Sequence, residues 1–147
     1  MYGDFQCPYC AAAQSIVRRV REHLDGRLRF AFRHMPLPEV HPQAPKAAEA
    51  SEAAATQGAF WPMHDRLYAA RGRLNFEDLV GHAAAVGLDG ERVRRELTDG
   101  VHAERVARDE ADARAAGVQG TPAFFVNGVL LEGSFDAGSL VAALEAQ

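Results

Sequence analysis

The residues of this chain best suited to chemistry are two thiols. Cys7 and Cys10 are the only cysteines among 147 residues, and they stand in the run DFQCPYCAAAQ with Pro8 and Tyr9 between them. A pair at this spacing can be a redox dithiol, half of a zinc site, or two ordinary thiols. Pro8 falls where the first residue of a following helix belongs, a position that suits proline because its missing N–H would have had no partner. Cys7 would then lie at the positive end of that helix, with free backbone N–H groups near its sulfur. Such a setting favours thiolate over thiol and draws the pKa below ~8.5, into the range ~3.5–7.5 found for these motifs. Cys10 lies one helical turn further on the same face. It can close a disulfide with Cys7 or attack a mixed disulfide formed there. Zinc calls for about four ligands; no second CxxC exists, and His23, His34, His41, His64, His82 and His102 are dispersed. The spacing favours a reversible dithiol that needs no metal or organic cofactor.

The elements that must hold these thiols follow from pattern. Met1–Phe5 leads into the motif, and AAAQSIVRRVREHLDG repeats Ala11, Ile16, Val20 and Leu24 at helical spacing before Gly26. LRFAFR alternates Leu28, Phe30 and Phe32 with Arg29, Ala31 and Arg33, which predicts a strand. HMPLPEVHPQAP, with four prolines in twelve residues, predicts an irregular connection. From Pro45 to Gly117 the pattern is helical almost throughout: KAAEASEAAATQ, FWPMHDRLYAA, an Asn75-capped FEDLVGHAAAV, an Asp89-led GERVRRELTDG and HAERVARDEADARAAG. TPAFFVNGVLLEG returns to strand character. Asn127-Gly128 signals a type I′ hairpin, and Asp136 is placed to cap a last helix. Pro122 directly precedes this hairpin, and the residues leave cis and trans open for Thr121-Pro122. The order predicts a single mixed α/β domain over residues 1–147, with parallel strands early and an antiparallel pair late.

Composition narrows the function. Net charge is −4, pI is near 5.8, and Lys46 is the sole lysine among scattered arginines. No basic run offers a nucleic-acid surface. No apolar stretch reaches the ~18 residues of a membrane span, and no signal peptide is visible. Two cysteines at short range exclude a multi-disulfide framework.

Together, DFQCPYC, HPQAPKAAEASEAAATQGAFWPMHDRLY and GVQGTPAFFVNG resemble the DsbA-like thiol–disulfide oxidoreductases of the thioredoxin superfamily, in order over nearly the whole chain. The resemblance implies a thioredoxin-like fold built on residues 1–36 and 118–147. A helical insertion over 45–117 would divide the second strand from the C-terminal hairpin of a four-stranded sheet. It implies Cys7 as nucleophile, Cys10 as the buried resolving thiol and a cis Pro122 after Thr121. In the family that loop backbone pairs with an extended substrate chain. The implied partners are protein or peptide thiols and disulfides, and a redox partner that recycles the dithiol, with the chain a monomer or a dimer. Against the family pattern the first strand is short: Met1–Phe5 spans only ~13–17 Å, and Met1 stands where a buried acid commonly lies.

Several further residues carry expectations. Tyr9 should be the most exposed residue of the motif and reach substrate, while Asp4 should point to solvent. Phe60, Trp61 and Met63 should be core of the helical block rather than a peptide groove. His34 and His41 should be surface or hydrogen-bonded histidines rather than charges on Cys7. Two other readings stand beside the main one. Cys-Pro-Tyr-Cys is also the glutaredoxin motif, which would make the chain a glutathione-dependent reductase, and a non-catalytic module could use the same loop to hold peptides. As it stands the chain reads as cytoplasmic, or as periplasmic or otherwise extracytoplasmic if the natural N-terminus lies further upstream.

Overall fold

The computed structural model describes residues 1–146. Its elements are β1 (Tyr2–Gly3), α1 (Pro8–Leu24), β2 (Arg33–His34), α2 (Ala44–Thr56), α3 (Phe60–Ala69), α4 (Phe76–Ala85), α5 (Gly90–Asp99), α6 (Ala103–Ala115), β3 (Phe125–Val126), β4 (Val129–Leu130) and α7 (Ala137–Glu145). β1 and β2 pair in parallel, Tyr2 with Arg33 and Gly3 with His34. β3 and β4 pair antiparallel around Asn127-Gly128, whose φ values of 48° and 85° give the left-handed pair that a type I′ turn needs. An antiparallel bridge between Tyr2 and Ala123 joins the two pieces, so the strands lie side by side in the order β2, β1, β3, β4. The thioredoxin-like architecture expected from the sequence is present, in an abbreviated sheet.

Strand length departs from expectation. Of the LRFAFR stretch only Arg33 enters β2. A strand exists only where a neighbour supplies hydrogen bonds, and β1 supplies them from Met1 onward. The Met1 amine donates to the Ala31 carbonyl at 2.9 Å, Arg33 N–H to the Met1 carbonyl at 2.9 Å, and Met35 N–H to the Gly3 carbonyl at 2.9 Å. Leu28–Phe32, though they alternate, lie outside the strand.

Helices cover both faces of the sheet. On one, Ala13, Val17, Val20 and Leu24 of α1 pack with Phe124 and with Leu140 of α7. The buried stripe of α1 thus runs through Cys10, Ala13 and Val17, one position around from the stripe through Ala11 and Ile16. On the other face, Tyr2 and Met35 meet Ala113 of α6 and Val118. The largest cluster joins the motif to the helical block, bringing Phe5, Cys7, Cys10 and Phe32 against Met63, Leu67 and Tyr68. In α2, Ala44, Ala47, Ala50, Ala53 and Ala54 are all fully buried, which lets neighbouring helices approach its backbone closely. Local caps fix the block: Asn75 and Asp136 form capping boxes with Asp78 and Ser139, and the Asp89 side chain accepts from Arg92 N–H.

Gly3 marks the tightest approach in β1. A Cβ there would lie 2.6 Å from a Phe32 ring carbon and 2.9 Å from the Tyr68 hydroxyl. Gly3→Ala should therefore overpack the centre and destabilise the protein by about 1–3 kcal/mol in urea unfolding. A variant as stable as the parent would show that the two rings have room to move.

Candidate active site

Cys7 is the N-cap of α1, with extended backbone at φ −73° and ψ 120°, and Pro8 follows inside the first turn. The helix starts here because proline fixes its own φ and Ala11 N–H reaches the Cys7 carbonyl at 3.1 Å. Cys7 keeps a sliver of access, 3% exposed, whereas Cys10 has none. Both are free thiols. Tyr9 is 73% exposed, as its position in the motif predicted. Across from the thiols the chain turns through Thr121-Pro122, whose peptide bond is cis. The Cys7 thiol faces the Thr121 carbonyl at 3.8 Å.

The two sulfurs differ sharply in acidity. Cys7 is lowered to about 5. The first cause is a hydrogen bond from the Cys10 thiol. Burial opposes it, and the backbone N–H groups of Cys10 and Tyr9 and the Thr121 side chain add to it. The helix-start N–H groups anticipated from sequence do contribute, but the neighbouring thiol contributes more. Cys10 moves in the opposite direction, far upward, because its S–H donates a hydrogen bond to the Cys7 sulfur and because it is buried. The Thr121 hydroxyl has no hydrogen-bond partner while Cys7 is a thiol aimed at the Thr121 carbonyl. Once Cys7 ionises, its sulfur becomes an acceptor and that hydroxyl is the donor beside it.

Asp4 overturns the expectation that it points to solvent. It is 1% exposed, and its carboxylate gathers four donors. One oxygen accepts Gln6 N–H at 2.7 Å and Cys7 N–H at 3.0 Å; the other accepts Leu37 N–H at 2.9 Å and bonds His41 Nδ1 at 2.9 Å. Gln6 adds a second tie, its side-chain oxygen accepting Gln43 N–H at 2.8 Å. The proline-rich loop is thereby fastened to the residues just before Cys7. A buried carboxylate is tolerated when each oxygen is satisfied in this way. A sequence signal for it existed, since an aspartate commonly accepts from the N–H two residues on.

The remaining candidates sort themselves by contact. His41 is hydrogen-bonded to Asp4, and His34 is buried with Nε2 2.7 Å from Glu52, so neither stands as a free charge on Cys7. Met63 is fully buried as predicted. Trp61 corrects its assignment to the core: it is 38% exposed and lies on Phe30 at 5.6 Å, with the Arg21 guanidinium over its ring. The α3 surface that turns inward carries Met63, His64, Leu67 and Tyr68, which places Trp61 on its rim.

Comparisons with known proteins agree with this geometry. The family model described as Thioredoxin matches residues 1–146. This chain belongs to the thioredoxin family. A thioredoxin-like oxidoreductase from Silicibacter pomeroyi superposes with a TM-score of 0.87 at 29% identity, covering 99% of this chain and 82% of that one. Oxidised BdbD from Bacillus subtilis gives a TM-score of 0.89 at 22% identity, over 99% and 83% of the two chains. In sequence, the chain is 48% identical over 143 residues to a Na(+)/H(+) antiporter NhaA 1 of Salinispora arenicola. That match takes in 97% of this chain and 22% of the antiporter, so the chain spans about a fifth of the length of such relatives.

Two measurements bear on the site. Thiolate absorbance of the reduced protein should titrate with a midpoint of about 5, and Cys7→Ser should remove that transition. A thiol whose pKa falls on folding contributes stability that is complete above its unfolded value of ~8.5 and lost as pH falls through about 5. The stability of the reduced protein relative to Cys7→Ser should therefore grow from pH 5 towards ~8.5, and a flat difference would contradict the shift. Separately, Asp4→Ala strips four donors of their acceptor and should cost about 2–4 kcal/mol in denaturant unfolding. A loss below about 0.5 kcal/mol would mean that water replaces the carboxylate.

Proposed function

We propose that this chain is a DsbA-like thiol–disulfide oxidoreductase acting on protein thiols, with Cys7 attacking and Cys10 resolving. The observation that carries the reading is two free cysteines one turn apart at a helix start, Cys7 at the N-cap 3.8 Å from the carbonyl before cis Pro122 and Cys10 fully buried. In the reducing direction, the Cys7 thiolate attacks a substrate disulfide, forms a mixed disulfide and releases one substrate thiolate, which takes a proton. The Cys10 sulfur then gives up its proton and attacks Cys7 Sγ. The Cys7–substrate bond breaks, a Cys7–Cys10 disulfide forms, and the second substrate thiol leaves protonated. In the oxidising direction the same steps run backwards, with Cys10 as the first leaving group.

Thr121 and Pro122 would present backbone to an extended substrate segment beside Cys7, as a strand added to an edge, and Tyr9 would touch it from the exposed side of the motif. A thiolate held at about 5 stabilises the reduced dithiol, which moves the pair away from the reductant limit of about −270 mV towards the oxidant limit of about −120 mV. Among the described residues no helix is long and apolar enough to cross a membrane, and the antiport in the relatives' names forms no part of this reading.

Cys7→Ser should abolish both insulin reduction and oxidative refolding of a reduced substrate protein. Cys10→Ser should instead trap mixed disulfides visible on non-reducing gels. Retention of full activity by Cys7→Ser would refute the mechanism, and turnover of a glutathione mixed disulfide by Cys10→Ser would move the assignment to a glutathione-dependent reductase.

A further inference from the structure

Among the described residues five buried polar atoms lack a hydrogen-bond partner: His34 Nδ1, Gln57 Nε2, His64 Nε2, the Tyr68 hydroxyl and Thr121 Oγ1. Native interiors hold few such atoms, and each asks for a reason. Thr121 has one in the Cys7 sulfur beside it. Tyr68 arrives from α3, far along the chain, yet shares a core cluster with both cysteines. Its ring is wedged against Phe5 at 4.9 Å, His64 at 5.1 Å and Phe32 at 6.2 Å. Its oxygen comes so close to β1 that a Cβ on Gly3 would be 2.9 Å away. The pocket is thus shaped to admit a hydroxyl, and none of the ring neighbours offers it a formed hydrogen bond.

We propose that the Tyr68 hydroxyl is a donor held for the Cys10 sulfur, formed as a hydrogen bond when that sulfur carries negative charge, and that it thereby speeds the resolving step. The proposal rests on the exchange chemistry above. Cys10 must be a thiolate twice in the cycle, as attacker of the mixed disulfide and as leaving group when the enzyme disulfide is opened, and its burial makes that charge costly. A neutral sulfur is a weak acceptor, so the phenol stands unpaired in the dithiol state; a thiolate is a strong one. Burial, followed by the charges of Cys10, Asp4 and Cys7 and by the adjacent Cys10 side chain, raises the phenol well above its ordinary 10. Tyr68 therefore keeps its proton throughout. The proton that Cys10 surrenders goes to the departing substrate thiolate through solvent. Tyr68 is a positioning and stabilising donor for a reacting sulfur, not an acid.

The test uses dithiobis-nitrobenzoate, an aromatic disulfide that releases one coloured thionitrobenzoate when Cys7 attacks and a second when Cys10 resolves. Tyr68→Phe removes one oxygen and keeps the ring packing. Its first phase should match that of the unsubstituted protein within about twofold, and its second should slow roughly 10- to 100-fold, the loss of one hydrogen bond to a charged group. The second-phase rate should also need a higher pH to reach its plateau. The titratable groups facing the hydroxyl are Asp4, Cys7, Cys10 and His64, and all are retained in the variant. An unchanged second phase, or equal slowing of both phases, would overturn the proposal. Replacing Tyr68 with an analogue fluorinated beside the hydroxyl, a stronger donor of nearly the same size, should speed the second phase; no acceleration would equally count against it. If the unsubstituted protein released no second thionitrobenzoate, the exchange reading itself would fall, which separates that failure from this one.

Discussion

Asp4 places a carboxylate in the interior three residues before Cys7, and the arrangement of the site depends on how its charge is met. One oxygen is filled by the turn that becomes α1, the other by the proline-rich loop. Four donors from two segments converge on one group, so neither segment can move without leaving a buried charge short of partners. Cys7 N–H is one of the four, which couples the position of the N-cap to the loop through a single carboxylate. Gln6 bonding Gln43 repeats the same connection a few residues away. The proline loop needs such ties, since its prolines remove the N–H groups with which a strand or helix would have fastened it.

Within that frame the two cysteines acquire different chemistry from a separation of one helical turn. Cys7 is at the helix end, where unpaired N–H groups and the Cys10 thiol converge on it. Cys10, inside the first turn, lends its own backbone N–H to Cys7 and has its side chain in the core. The proton therefore belongs to Cys10 and the charge to Cys7. A swap of roles would put the thiolate on the fully enclosed Cys10 and the proton on Cys7 at the helix end, against both desolvation and the helix field.

Much of this was legible in the sequence because it is local. Pro8 after Cys7, Asn127-Gly128 between two apolar runs, and Asn75, Asp89 and Asp136 before helices each act within a few residues, and each does in the structure what its type predicts. What escaped depends on partners distant in sequence. LRFAFR alternates like a strand, yet a ladder requires a neighbour that the run itself does not encode. Asp4 reads as a surface charge until Leu37 and His41 are folded over it. Trp61 has helical spacing with its inward neighbours, but a turn of helix offers fewer buried places than its sequence has apolar residues, and the bulkiest stayed at the rim. The cis bond at Pro122 came from family resemblance, since the residues alone allowed either isomer.

The helical block also changes meaning when its contacts are followed inward. Read along the chain it is an interruption between β2 and β3, a cap over one side of the sheet. In space its third helix delivers Met63, Leu67 and Tyr68 to the same cluster that holds both sulfurs, with His64 buried on the same face of the helix. His64 is pushed towards neutrality there, chiefly by burial, so its ring fills the aromatic box with Phe5, Phe32 and Phe60 and brings no cation near the dithiol. The aromatic box thus adds bulk and no cation, while the charge on Cys7 is met from the other side, by the Cys10 thiol, the N–H groups at the start of α1 and the Thr121 side chain.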